Sequence, residues 1–252
     1  MIYVNAFEIW RWLVESFGKF AASVPLVTTL IMLAAFLLVA VRSAKGTAHI
    51  KWPIVLCAIG FAMVGLIVSN PQFPSKAIHV PQYMVIALLV RRGLCAHLSG
   101  WPLTLMVLLT TIIFGCHDEL VQGFHPQRYF GLADINADFF GAAAGALLAH
   151  GFGWMESNQS NGTSPPWFVV LITLCVLLAF GVELVLLYEF GGESVPVWIA
   201  APLLTATLVW ICTDIAFSYG SGWRHALRLV VSMSALATIY PVIGYLTELE
   251  FN

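Results

Sequence analysis

The sequence predicts an all-α, polytopic integral membrane bundle of about eight transmembrane helices, preceded by an N-terminal amphipathic helix. Three observations predict it. Of 252 residues, 60% are hydrophobic and only 10% charged, where soluble domains carry roughly 25% charged residues. The mean hydropathy is +0.89. The apolar runs are continuous rather than alternating, so helices and not barrel strands must satisfy the backbone inside hydrocarbon. A span needs about 20 residues, which leaves no room in 252 residues for a separate soluble domain.

Residues 1–22 form the amphipathic element. Glu8, Arg11, Glu15 and Lys19 fall within one arc of roughly 80° at about 100° per residue, and the remaining surface is Trp, Phe, Ile, Leu and Val. Such a stripe suits a helix lying in the membrane interface with Trp10 and Trp12 at headgroup level, or else one docked on the bundle. A removable signal peptide is not expected, because a basic stretch followed by a short apolar core and a small-residue cleavage site is missing.

Apolar runs follow at Val24–Val41, Pro53–Ser69, Ala77–Val90, Trp101–Cys116, Ile135–Phe152, Trp167–Leu187, Val195–Ile215 and Leu227–Leu246. The third is short for a span and reads as tilted or partial. Arg42, Lys45, Lys51, Arg91, Arg92, Arg224 and Arg228 cluster in or beside the loops after the first, third and seventh runs, which the positive-inside rule places in the cytoplasm. Both termini then lie outside. The Ser-, Asn-, Gly- and Pro-rich segment 156–166 is a cytoplasmic linker, dividing a five-span domain (23–155) from a three-span part (167–252).

With a net charge of -2 and no basic cluster longer than two residues, nucleic acid is excluded as a partner. Cys57, Cys95, Cys116, Cys175 and Cys212 are scattered singly without metal-ligand spacing, and read as small core residues. The standard hydrolase, zincin and phosphate-loop motifs do not occur.

Polar chemistry concentrates in two stretches that the topology places at the outer face. Lys76, His79 and Tyr83 open the third run, and Asp118 through Asp138 join the fourth to the fifth. Glu119 and Gln122, three apart, share a helix side, and a turn carrying Pro126 and Arg128 follows. Asp134, Asp138, Gly141 and Gly145 line one row of the fifth helix, carboxylates first and glycines deeper. The two glycines match the small-residue spacing of closely approaching membrane helices. Arg128 is expected to fork onto a carboxylate or phosphate, with Asp134 or Glu119 as its partner inside the protein. Glu183, within the sixth run, either snorkels to water or joins the outer set. Asp214 reads as a rim residue.

The string Lys76, His79, Tyr83, Glu119, Gln122, Pro126, Arg128, Asp134, Gly141 and Gly145, over about residues 70–150, resembles the VanZ-like family of membrane proteins, associated with glycopeptide (teicoplanin) resistance. Two positions depart from the family pattern: Ser75 where Asp is common, and Asp138 where Asn is common. The last three spans lie outside the resemblance.

The resemblance implies a multi-pass protein of the bacterial plasma membrane. Its outer pocket, formed by Lys76, His79, Tyr83, Glu119, Gln122, Arg128, Asp134 and Asp138, would bind an amphiphile such as a lipid headgroup, a lipid-linked envelope precursor or a lipoglycopeptide. An intramembrane enzyme acting on a lipid headgroup is the alternative, with His79 or Glu119 as acid-base, Arg128 stabilising negative charge and Asp134 beside it. A structural partner of another membrane protein is the third reading. Four outer carboxylates against Lys76 and Arg128 leave an excess of negative charge, so a divalent cation, a protonated carboxylate or a cationic ligand group is expected to complete the site.

Overall fold

A computed structural model describes residues 11–43, 50–69, 74–125, 128, 130–156, 163–190, 195–247 and 251. All regular elements among the described residues are helical. Residues 11–17 form α1, followed by α2 (Val24–Ser43), α3 (Trp52–Val68), α4 (His79–Leu94), α5 (Gly100–Gly123), α6 (Leu132–Gly151), α7 (Trp167–Glu189), α8 (Ala201–Ala216), α9 (Ser221–Ala235) and α10 (Ile239–Thr247). Short 3-10 turns occupy Gly18–Ser23, Pro74–Ile78, Val197–Ala200 and Leu236–Thr238.

Among the described residues, five helices are long and apolar enough to cross a membrane: Gly100–Gly123, Leu132–Gly151, Trp167–Glu189, Val197–Ala216 and Ser221–Thr247. The third apolar run falls on α4, whose 16 residues extend about 24 Å at 1.5 Å per residue, short of a hydrocarbon core of roughly 30 Å. The 3-10 turn Pro74–Ile78 precedes it and carries the chain further at about 2 Å per residue.

The N-terminal element is interrupted. Gly18 takes φ +53, a conformation that suits a residue without Cβ, and the α-helix gives way there to the 3-10 turn. Arg11 and Glu15 are exposed, and so are Trp12 at 59% and Phe20 at 81%. Over residues 11–17 apolar and charged side chains are thus both left largely uncovered. Glu8, Trp10 and the Lys19 side chain lie outside the described residues.

The chain forms two compact units, Met1–Leu89 with Ala133–Trp154, and Val90–Leu132 with Met155–Asn252. This division interleaves: α5 groups with the C-terminal helices instead of falling on the N-terminal side of the linker, because its contacts are with α9 and with residues beyond it.

In the first unit, Ile50, Val55, Ala58, Ala62, Val80, Met84, Ala137, Ala144 and Leu148 make a buried cluster. Its density depends on small residues. A Cβ on Gly141 would stand 2.5 Å from the Val80 carbonyl oxygen, and one on Gly145 would stand 2.6 Å from that of Met84. The pair of glycines therefore serves close approach of α6 to α4 inside one chain. The contacts advance together along both helices, so α4 and α6 run parallel. At the opposite end, the Lys51 amide donates to the Gly151 carbonyl at 2.9 Å, and Lys51 Nζ lies 3.3 Å from His150 Nε2.

In the second unit, α7 and α8 are antiparallel. Phe168 meets Phe217, Trp210 Nε1 donates to Thr173 Oγ1 at 2.8 Å, and Phe190 meets Trp198. Leu171, Leu174, Leu178, Val182 and Val185 form an exposed stripe along α7, as a lipid-facing side requires. An aromatic cluster of Phe124, Phe130, Tyr188, Tyr240 and Phe251 closes one end, with Phe251 pressed on Gly123.

Two expectations are corrected here. Of the cysteines read as core, Cys116 is buried and Cys95 half-buried, while Cys57, Cys175 and Cys212 are exposed. Hydrocarbon accepts a thiol as readily as a protein interior does, so hydropathy does not distinguish the two. Arg91, expected in a cytoplasmic loop, is fully buried; its guanidinium donates to Thr104 Oγ1 at 3.3 Å and faces Glu156 at 3.7 Å. Its neighbour Arg92 is exposed.

Candidate functional site

The polar residues singled out in the sequence form one cluster in each unit. In the first unit, Lys76 stands on the 3-10 turn, His79 begins α4, and Tyr83 follows one turn later. Asp134 and Asp138 occupy the first two turns of α6. Because the helices are parallel, three residues on one side step in register with four on the other. Two cross-links result. Lys76 Nζ donates to Asp134 Oδ2 at 2.5 Å, and His79 Nδ1 lies 2.8 Å from Asp138 Oδ1. The His79 and Tyr83 rings are stacked with centroids 6.2 Å apart.

Asp134, Asp138, Tyr83 and His79 are all buried, whereas the Lys76 side chain keeps 33% exposure. Lys76 is thus the water-facing member of an otherwise enclosed group. Each carboxylate of this cluster is matched by a basic side chain, so charge among Lys76, His79, Asp134 and Asp138 balances when His79 is protonated. With His79 neutral, Nδ1 carries the hydrogen toward Asp138, and Nε2 is the atom that accepts a proton.

The second unit holds Glu119, Gln122 and Arg128. Glu119 is completely buried. Its Oε1 accepts from Gln122 Nε2 at 3.0 Å, and its Oε2 accepts from the Gly131 amide at 3.0 Å. Gln122 Nε2 also reaches Asp118 Oδ2 at 3.3 Å. The Gln122 carbonyl oxygen in turn accepts from Arg128 Nη2 at 2.7 Å and Nε at 3.3 Å. Glu119 and Gln122 share a helix face as their spacing predicts. Two Arg128 nitrogens converge on the Gln122 amide oxygen, and Lys76 donates to Asp134. Gln122, held through its Nε2 by Glu119, presents its oxygen to Arg128.

Two polar groups were under-read in the sequence. Asp214 lies two residues before the end of α8, at the rim, and is buried there by its partners: its carboxylate accepts from Tyr219 Oη at 2.7 Å, Arg224 Nε at 3.1 Å and Arg228 Nη2 at 2.7 Å. Arg224 also donates to the Asp214 carbonyl. Tyr219 sits in the turn between α8 and α9, where burial and then the Asp214 hydrogen bond push its hydroxyl pKa up. The other group is His117, whose Nε2 donates to the Met233 carbonyl at 2.7 Å and whose Nδ1 lies 3.1 Å from Tyr240 Oη. Met233 stands four residues before Ala237 in the 3-10 turn Leu236–Thr238. A change from α to 3-10 pairing redirects carbonyls in the preceding turn, and His117 satisfies this one. Only the charge spacing of Asp214, Arg224 and Arg228 was available as a sequence signal.

No family model matches the chain, and no curated protein or solved structure matches it.

Proposed function

We propose that the chain is a VanZ-like protein of a bacterial plasma membrane, with eight spans and both termini outside, that binds an amphiphile at its outer face. The ligand class is a lipid headgroup, a lipid-linked envelope precursor or a lipoglycopeptide. The observation that carries this reading is the pair of cross-links Lys76–Asp134 and His79–Asp138 at the starts of two parallel helices. An accessible ammonium backed by buried carboxylates, beside apolar helix surface, suits a molecule with a polar head and a lipid tail.

Separate alanine substitutions at His79, Glu119, Arg128 and Asp134, scored for glycopeptide resistance and protein level in membranes, test the reading. Loss of resistance at normal abundance for His79 and Asp134 is the expected result. Loss of abundance in all four would make these residues internal clamps and favour the structural-partner reading. Titration with Mg²⁺, Ca²⁺ and Mn²⁺ addresses the cation expectation, and silence at millimolar concentration removes it.

The enzymatic reading draws on one observation of its own: a carboxylate at Nδ1 orients His79 as acid-base catalysts are oriented. Product formation from candidate lipids by the purified protein, lost in His79→Gln, would favour it.

A further inference from the structure

Glu183 stands six residues before the end of α7, at 1% exposure. Neither of its carboxylate oxygens has a hydrogen-bond partner among the described residues. The residue does not snorkel. It belongs to the seam Val169, Thr173, Val176, Phe180, Glu183 and Leu187, whose spacing of alternating four and three turns it into the protein.

The register between α7 and α8 says what it meets. The pairs Phe168–Phe217, Thr173–Trp210 and Phe190–Trp198 set residue 183 opposite Ala201, Pro202 and Leu203, none of which carries a hydrogen-bonding side chain. On α8 the titratable groups Cys212 and Asp214 lie about 12 residues away, on the order of 18 Å along the helix, and Asp214 is clamped with Arg224 and Arg228 of α9. His225, also of α9, donates from Nδ1 to the Ser221 carbonyl of its own first turn. The 3-10 turn Val197–Ala200 carries no charge. From α5, His117 lies against Phe180, one turn back along the same seam, and is engaged with Met233 and Tyr240 of the last span. Asp118 and Glu119 follow on α5 and are joined to Gln122. Tyr188 and Glu189 lie beyond, at the helix end.

Among the described residues, an anion so placed has no hydrogen-bond donor or ion-pair partner to offset its desolvation, which costs several kcal/mol in real proteins, whereas the neutral acid forfeits far less. Ionisable side chains in spans are expensive and mark proton or ion sites. We propose that Glu183 is a proton-binding site within the membrane, resident as the neutral carboxylic acid and able to exchange its proton with solvent. It is independent of the reading proposed for the outer cluster.

Infrared spectroscopy of the full chain in lipid vesicles at neutral pH tests it, comparing the wild type with Glu183→Gln in H₂O and D₂O. The expected result is a protonated-carboxyl carbonyl band that shifts in D₂O and is lost in the variant, whose abundance matches the wild type. Loss of a carboxylate band in its place overturns the proposal. An acid band that never shifts in D₂O shows a sealed acid and overturns it too. Failure of Glu183→Gln to accumulate has the same force, because the amide is the neutral isostere of the acid.

Discussion

His79 and Asp138 meet at 2.8 Å one step further along α4 and α6 than Lys76 and Asp134 do. The two bonds fix the parallel register that Gly141 and Gly145 make possible by letting the backbones close. Asp138→Asn separates the binding and enzymatic readings. An amide oxygen still accepts the Nδ1–H of a neutral His79, so bond and fold persist. A binding site should lose little, within about 1 kcal/mol. An acid-base site loses the charge that supports the imidazolium, and a fall of two orders of magnitude or more is expected. Resistance and turnover, each normalised to protein level, read the difference.

Lys76 and Asp134 pair a partly exposed ammonium with a buried carboxylate. A double-mutant cycle with Lys76→Met and Asp134→Asn, followed by thermal unfolding in detergent, is expected to give a coupling of about 1–3 kcal/mol, because the second substitution relieves the buried charge that the first leaves unpaired. Lys76→Met alone should cost more than Asp134→Asn alone, since it leaves a buried carboxylate without its ammonium. The reverse order would mean that Asp134 is held chiefly by other groups.

The helices were legible because spanning demands unbroken apolar runs: the last five runs expected from the sequence fall on the five described helices long and apolar enough to cross a membrane, and the first three fall on α2, α3 and α4. The spacings of Lys76 with His79 and of Asp134 with Asp138 also named the right helix faces. Which basic group takes which carboxylate was not legible. That choice follows from the parallel register of α4 and α6, a long-range property set where Gly141 passes Val80. The Asp214 clamp needed the turn carrying Tyr219 before Arg224 could fold back on it. The outward thiols illustrate a general limit: in lipid, apolar residues serve both faces of a helix, so hydropathy fixes the span without fixing its rotation.

Gly141 and Gly145 should be intolerant of even one methyl. In each case the added carbon meets a backbone carbonyl, Val80 or Met84, which cannot rotate away. Gly141→Ala and Gly145→Ala are expected to destabilise by about 1–3 kcal/mol through overpacking. Gly181 on α7 has open space around its Cβ position, and Gly181→Ala should be neutral or stabilising by roughly 0.5–1 kcal/mol from helix propensity. Equal losses at all three positions in thermal unfolding would contradict the close approach.

Tyr219 ties stability to alkaline pH. Its folded-state pKa is raised, first by burial and then by the hydrogen bond to Asp214, above the unfolded value of about 10. As pH rises past that value the unfolded chain releases the phenolic proton while the folded chain keeps it. The unfolded state then binds fewer protons, and unfolding free energy falls with pH. The contribution is therefore complete below pH of about 10 and is lost as pH climbs toward the folded-state pKa. Tyr219→Phe removes the titration along with the bond. It should cost about 1–2 kcal/mol at neutral pH, where Asp214 loses one donor but keeps Arg224 and Arg228. Its stability should then decline less steeply than the wild type's above pH of about 10. Thermal unfolding across that range checks both halves, and parallel wild-type and variant curves would show that Tyr219 has no part in the alkaline loss.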